Sequence, residues 1–467
     1  MTDEVKRAMH ARYTKPHRWP VALAALLLPL VAGSARGDIL GVSIPNGGTV
    51  AVTAKETHIA TGEGNTLLAW GYALNNGTAQ YPGPTLILDQ GSTVTVQLTN
   101  TLPVPVSIVF PGQVGVTATG GANTQDGLLT KEALAGGTVS YTLTATNAGT
   151  YVYQSGSRPE LEIEMGLVGA IIVRPTGFNP SAPTAYGHPD TAYDKEYLFL
   201  LSEMDPNIHS AIELDGVGVL ATHDYFANRA PNYWFLNGRT GPDTLLDANE
   251  PLFPSQPYNS APTMNPGQKL LMRVVGAGQD GHTFHHHGNH ARVIARDGRM
   301  LASGPATGPD LSYLVFTVPS VPGKTEDVIF EWTGKDLGWD IYGTPPDHVH
   351  TCSNPNCPDT TPADGFDDTN PAVPCWDVAR REYCPDHGKP IPVSLPGVLS
   401  TELGPYYSGS PFMGVTGFRP PGNAPFNPSG GFGFMFHSHV ERELTNFNIF
   451  PGGMMTMLIV EPLVPTP

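Results

Sequence analysis

Along residues 92–100 and 138–146 the chain alternates polar and apolar side chains without a break. Val94, Val96 and Leu98 mark the first stretch; Val139, Tyr141 and Leu143 mark the second. A period of two belongs to a β-strand with one buried face, and a helix cannot bring such residues to one side. Shorter apolar runs bounded by turn residues follow at 168–175, 195–203, 233–238, 269–276, 291–298, 326–332 and 454–462. The 53 glycines and 47 prolines among 467 residues supply the turns such strands need and speak against a helical bundle. The pattern predicts an all-β protein with many turns.

The strands fall into two sets. Residues 38–175 form the first domain. Residues 176–194, rich in Pro, Gly, Ala and Asp, read as a linker, and 195–467 form the second domain. Inside the second, residues 335–430 carry few periodic apolar runs and hold all four cysteines, Cys352, Cys357, Cys375 and Cys384. This stretch reads as a long insertion that serves as a lid, a partner surface or a stabilising elaboration. In an exported chain four clustered cysteines read as two disulfides of open pairing. The alternative is a metal site shared with His348, His350 and His387, although zinc sites use tighter cysteine pairs.

Residues 1–37 read as an export signal. Lys6, Arg7, Arg12, Lys15 and Arg18 precede an apolar run at 19–33 that is short for a bilayer and broken by Pro29. Ala35 and Gly37 place small residues near the expected cleavage point. No other segment is apolar enough to span a membrane, so the expected location is periplasmic or extracellular. The net charge of −17 disfavours nucleic acid and anionic lipid and suits cationic substrates or metal ions.

Two histidine clusters, 282-HTFHHHGNH-290 and 437-HSH-439, stand about 150 residues apart. On strands, parity sorts them: His285 and His287 point one way, as do His437 and His439. Side by side, the two strands would bring four imidazoles to one face, enough for one metal ion. His282 and Ser438 have the opposite parity and would share the face behind. His290, Glu441 and Glu443 lie close in sequence, and with His282 they are candidate additional ligands or outer partners. His286 reads as a surface or outer-partner residue. Glu160, Glu162 and Glu164 alternate along 160-ELEIE-164 and read as a strand's solvated face or as oxygen donors.

Several stretches resemble the multicopper oxidases. In the first domain these are 82-PGPTLILDQGSTVTVQLTN-100, 149-GTYVYQSG-156 and 166-GLVGAIIV-173. In the second they are 235-FLNGR-239, 266-PGQKLLMRVVGAG-278 and both histidine clusters. The resemblance implies two cupredoxin-type Greek-key β-sandwich domains, the second bearing the disulfide-containing insertion. It also implies copper as the cofactor, with zinc as an alternative, and a homotrimer in which the first domain of one subunit faces the second domain of another.

The chain departs from the family where the chemistry lies. The family holds a three-copper cluster with eight histidines from four His-x-His motifs. Here Val109 and Pro111 stand at one pair of ligand positions, and Gln154 and Gly156 at another. The family's electron-accepting copper uses a cysteine and two histidines. Here Ser438 replaces the cysteine and Glu443 the second histidine, leaving His282 alone. A hydroxyl is a poor substitute for a thiolate. The expectation is therefore one metal site on His285, His287, His437 and His439. One reading is a copper-dependent oxidoreductase acting on metal ions or phenolic compounds. The other is a non-catalytic copper-binding protein for storage, delivery or resistance. Met454, Met455 and Met457 lend the latter weak support, though core packing explains them too.

Overall fold

The computed structural model describes residues 39–222, 224–334 and 431–461, and the backbone of five short strands between 376 and 427. The export signal, the four cysteines, and His348, His350 and His387 lie outside the described residues. Among the described residues no helix is long and apolar enough to cross a membrane.

The first sandwich packs a six-stranded sheet on a four-stranded one. The alternating stretches form Thr93–Asn100 and Thr138–Thr144, which pair antiparallel with Val96 opposite Tyr141. Their apolar residues enter one core with Trp70, Tyr72, Leu86 and Ile171. The smaller sheet runs Val42–Ser43, Leu86–Asp89, Val168–Arg174, Gly149–Gln154. Val168–Arg174 is buried along its whole length because its two faces serve different cores.

The second sandwich repeats the plan with a seven-stranded and a six-stranded sheet. In the larger sheet Lys195–Met204 runs parallel to Lys269–Gly276, which pairs antiparallel with Thr325–Glu331. The smaller sheet has the order Thr263–Met264, Met455–Val460, Gly431–Ser438, His282–His286, Thr317–Ser320. Strand pairs within each sandwich are both parallel and antiparallel, as the crossing connections of cupredoxin-type sandwiches require.

A third apolar core joins the sandwiches through Ile59, Leu67, Val152, Ile172, Leu198, Leu200, Phe235 and Val275. Buried ion pairs cross the same boundary. Glu196 takes Arg174 at 2.7 Å and Arg273 at 2.5 Å, and Thr150 receives Arg273 at 2.9 Å and donates to Asp327 at 2.5 Å.

Two expectations from sequence need correction. The 160–164 stretch is not a strand: Pro159–Glu162 is a short helix begun by a proline in its first turn. Glu162 and Glu164 are therefore fully buried rather than solvated. Pro206–Asp215 forms a helix that the alternation did not signal, capped by Asp205, whose side chain accepts from Asn207 N.

Candidate metal centre

His282–His286 pairs antiparallel with Gly431–Ser438. His285 lies opposite His437, Phe284 opposite Ser438 and His286 opposite Phe436. Alternation then divides the residues. His282, Phe284 and His286 are buried in the sandwich, while His285 and His287 reach the half-open outer face. Directly opposed antiparallel residues have Cβ atoms about 5 Å apart, within reach of a shared ion.

On that face one ligand nitrogen from each of His285, His287 and His437 lies within 4.8 Å of the others. His287 Nε2 and His437 Nε2 are 3.1 Å apart. Two nitrogens bound to one metal at about 2.0–2.1 Å stand roughly 3.3 Å apart at tetrahedral angles and about 4 Å when opposed. The near pair already has a metal's bite, and the third nitrogen needs a shift of at most about 1.5 Å. His439 stands beside the trio, its ring 4.8 Å from that of His285 and 5.6 Å from that of His437, and it is exposed.

The ring tautomers are set from behind. His437 Nδ1 bonds Ser438 O at 2.7 Å, and His285 Nδ1 lies 2.9 Å from Thr317 Oγ1. The carbonyl can only accept, so His437 carries its proton on Nδ1 and leaves Nε2 for an ion, the usual arrangement for ligating histidine, while Thr317 occupies Nδ1 of His285. Burial and the neighbouring imidazoles push His285 down to about 4, and burial lowers His437 as well. Both rings are thus neutral donors at neutral pH. Imidazoles held neutral and nearly convergent fit copper.

The other candidates are placed differently. His290 and Glu441 are exposed; Glu441 Oε1 lies 3.8 Å from His439 Nδ1, and the His290 ring lies 5.6 Å from that of Phe316. His286 is no surface residue: it packs against Phe330 and Phe436, and burial pushes it down to about 3. Met454 belongs to the second sandwich's core. His282 and Glu443 do not join the cluster: strand parity turns His282 to the buried side, and Glu443 is buried beside it on the short 3-10 turn Glu441–Leu444. There His282 Nδ1 lies 3.0 Å from Glu443 Oε2 and His282 Nε2 2.9 Å from Glu203 Oε2. Ser438 Oγ donates to Glu443 Oε2 at 2.5 Å. Burial alone would lower His282, but bonds to the two carboxylates outweigh it and raise the group to about 9.

Sequence reading missed Glu203, the only acid in the apolar part of its strand and fully buried. A lone acid at the end of an apolar strand signals a buried partner. Arg229 is that partner, reaching Glu203 Oε1 at 2.5 Å, Glu164 Oε2 at 2.6 Å and Asp280 Oδ2 at 2.9 Å. Gly278, at φ +75°, closes over the same carboxylate; a Cβ there would collide with Glu203 Oε2.

In the first sandwich the corresponding positions are closed. Val109 and Gln154 exchange backbone hydrogen bonds, and a Cβ on Gly156 would lie 2.5 Å from Val109 Cγ1. Between Gln154 and Gly156, the Ser155 hydroxyl donates to Glu162.

Comparison with known proteins follows the same lines. Residues 63–177 match the family model for multicopper oxidases. A probable nitrite reductase–hydroxylamine oxidoreductase fusion protein of Kuenenia stuttgartiensis is 26% identical over 276 residues, 58% of this chain and 28% of that protein. A multicopper oxidase of Talaromyces pinophilus is 35% identical over 96 residues, 21% of this chain and 15% of that protein. The matched stretches thus span less than a third of either relative. Among solved structures, the blue copper oxidase of Nitrosomonas europaea superposes with a TM-score of 0.52 at 17% identity, covering 90% of this chain and 86% of that one. A further multicopper oxidase, mgLAC, gives 0.50 at 17%, covering 91% and 89%. At these identities the likeness is one of fold.

Proposed function

We propose that this chain, whose first domain belongs to the multicopper oxidase family, holds copper on His285, His287 and His437, with His439 completing the set. The observation that carries this reading is the convergence of three imidazoles from two paired strands. Copper is favoured over zinc by the family match. Bound copper would supply one-electron redox chemistry on a metal ion or a phenolic compound. The chain's own part is to hold His285 and His437 neutral by burial, to orient their rings through Ser438 O and Thr317, and to leave the outer face open for a substrate. The acidic surface favours cationic substrates.

The electron-accepting copper of the family has no counterpart in this reading. Its place is filled by Ser438 and Glu443 hydrogen-bonded to each other and by His282 tied to two carboxylates. Electrons would pass directly between substrate and the histidine-held ion. That same filled pocket favours a second reading, an exported protein that binds copper without turnover for storage, delivery or resistance. The exposed Leu314 and Phe316, beside His290 and His285, suit coverage by another subunit, as in a trimer. Oxygen consumption by the copper-loaded chain with phenolic and metal-ion substrates separates the readings. Turnover abolished by His437→Ala supports the oxidoreductase; tight copper binding without turnover supports the carrier.

A further inference from the structure

Behind the histidine face lies a buried line of charge that the copper reading leaves unused. His282 sits between Glu203 at 2.9 Å and Glu443 at 3.0 Å, one carboxylate on each ring nitrogen. A carboxylate only accepts, so both ring nitrogens donate, and a ring with two N–H groups is an imidazolium. Glu203 also accepts from Arg229 at 2.5 Å and from the backbone N–H groups of Gln279 and Asp280 at 2.7 and 3.1 Å. Among the described residues Glu443 pairs with no arginine; beyond His282 its side chain takes the Ser438 hydroxyl at 2.5 Å. Ser438 is the residue between His437 and His439. Its hydroxyl also accepts from Val440 N at 3.1 Å, and its carbonyl holds His437 Nδ1. The hydroxyl–carboxylate bond therefore adds a side-chain tie to a strand end whose backbone is held by Ser438 N on Met454 O at 3.0 Å and His439 N on Thr283 O at 2.8 Å.

We infer that Glu443, itself held by the His282 imidazolium, is a positioning residue for the copper face: through Ser438 it fixes how His437 and His439 are presented to the ion. This rests on the copper reading above. The first sandwich supplies an internal contrast. There Ser155 donates to Glu162 in the same way, but the flanking residues are Gln154 and Gly156. Among the described residues Glu162 has no imidazolium beside it, and its second oxygen is buried without a hydrogen-bond partner. The serine–carboxylate bond recurs, while the charged clamp stands only where histidines flank the serine.

The test uses the full chain. In the copper-free protein, proton–nitrogen correlation spectra of the histidine rings should show two protected N–H groups on His282 at neutral pH; a single N–H overturns the clamp. Cu²⁺ affinity by chelator competition and the copper paramagnetic resonance spectrum are then compared. Ser438→Ala and Glu443→Ala should each weaken copper binding by about tenfold to a hundredfold, the usual cost of losing an outer-shell partner, and change the hyperfine splitting. Glu443→Gln keeps an acceptor for Ser438 and should lose less, and Glu162→Gln should change neither readout. If Glu443→Ala does not fold, Ser438→Ala carries the test alone, since it removes one oxygen. Wild-type copper binding with an unaltered affinity and spectrum in Ser438→Ala overturns the positioning role and leaves the copper reading standing. A wild type that binds no copper overturns both, even if the His282 signals are as expected.

Discussion

Glu162→Gln should stabilise the protein in alkali and leave it nearly unchanged in mild acid. The Glu162 carboxyl is buried, which pushes it up to about 8 despite its bond from Ser155; a nearby charge on Glu132 adds to the rise. Its ordinary value is 4.5. A group raised on folding binds more protons in the native than in the unfolded state between those values. Its contribution is full below 4.5 and is lost as pH rises to about 8. At ~1.4 kcal/mol per unit the whole window amounts to roughly 5 kcal/mol, an order-of-magnitude figure. Glutamine keeps an acceptor for Ser155 and never ionises. The variant should therefore match the wild type at pH about 5 and exceed it by several kcal/mol at pH about 9. With an unfolding entropy of about 2 cal/mol/K per residue, that gain corresponds to a rise of roughly 5 °C in melting temperature. Calorimetric melts of both proteins across the range make the comparison. A difference that stays flat with pH would refute the argument, because it would mean that the carboxyl does not titrate within the window.

The other tests address the charge network and the closed first-sandwich site. His282, raised to about 9, contributes stability that is present below its ordinary 6.5 and lost as pH rises toward 9. Melts of His282→Gln should accordingly show a shallower alkaline decline than the wild type. Arg229→Met removes the cation that Glu164 and Glu203 share, leaving Glu203 with His282 as its cation, and should cost about 3–5 kcal/mol in denaturant unfolding; a loss below about 1 kcal/mol would show that the carboxylates find other partners. Gly156→Ala should destabilise by about 1–3 kcal/mol, because its Cβ meets Val109, and adding Val109→Ala should recover much of the loss in the same melts.

How far the sequence carried the account depended on which interactions are periodic. Alternation at 93–100 and 138–144 exposed the strands because one face is apolar and the other polar. Parity likewise put His285 and His287 on one side and His282 on the other. The stretch 160–164 alternates just as cleanly, yet Pro159 starts a helix there and both Glu162 and Glu164 are buried. Period two over five residues cannot outweigh a proline at a helix start and a hydroxyl waiting at Ser155. His286 was misjudged because a buried imidazole among Phe330 and Phe436 has no local signature. The Arg229 network was invisible because its members come from four separate segments, and only the tertiary fold brings them within hydrogen-bond reach.

The central claim is one histidine-held copper on the outer face of paired strands, with the electron-accepting pocket filled. Metal analysis of the copper-loaded full chain, read beside its visible absorption, tests it most directly. One copper per chain and no intense blue band are expected, with loss of the ion in His285→Ala and His437→Ala but not in His58→Ala, an exposed first-sandwich histidine paired with Glu213. Copper retained after both cluster substitutions, or a strong thiolate-type blue band in the wild type, would contradict it.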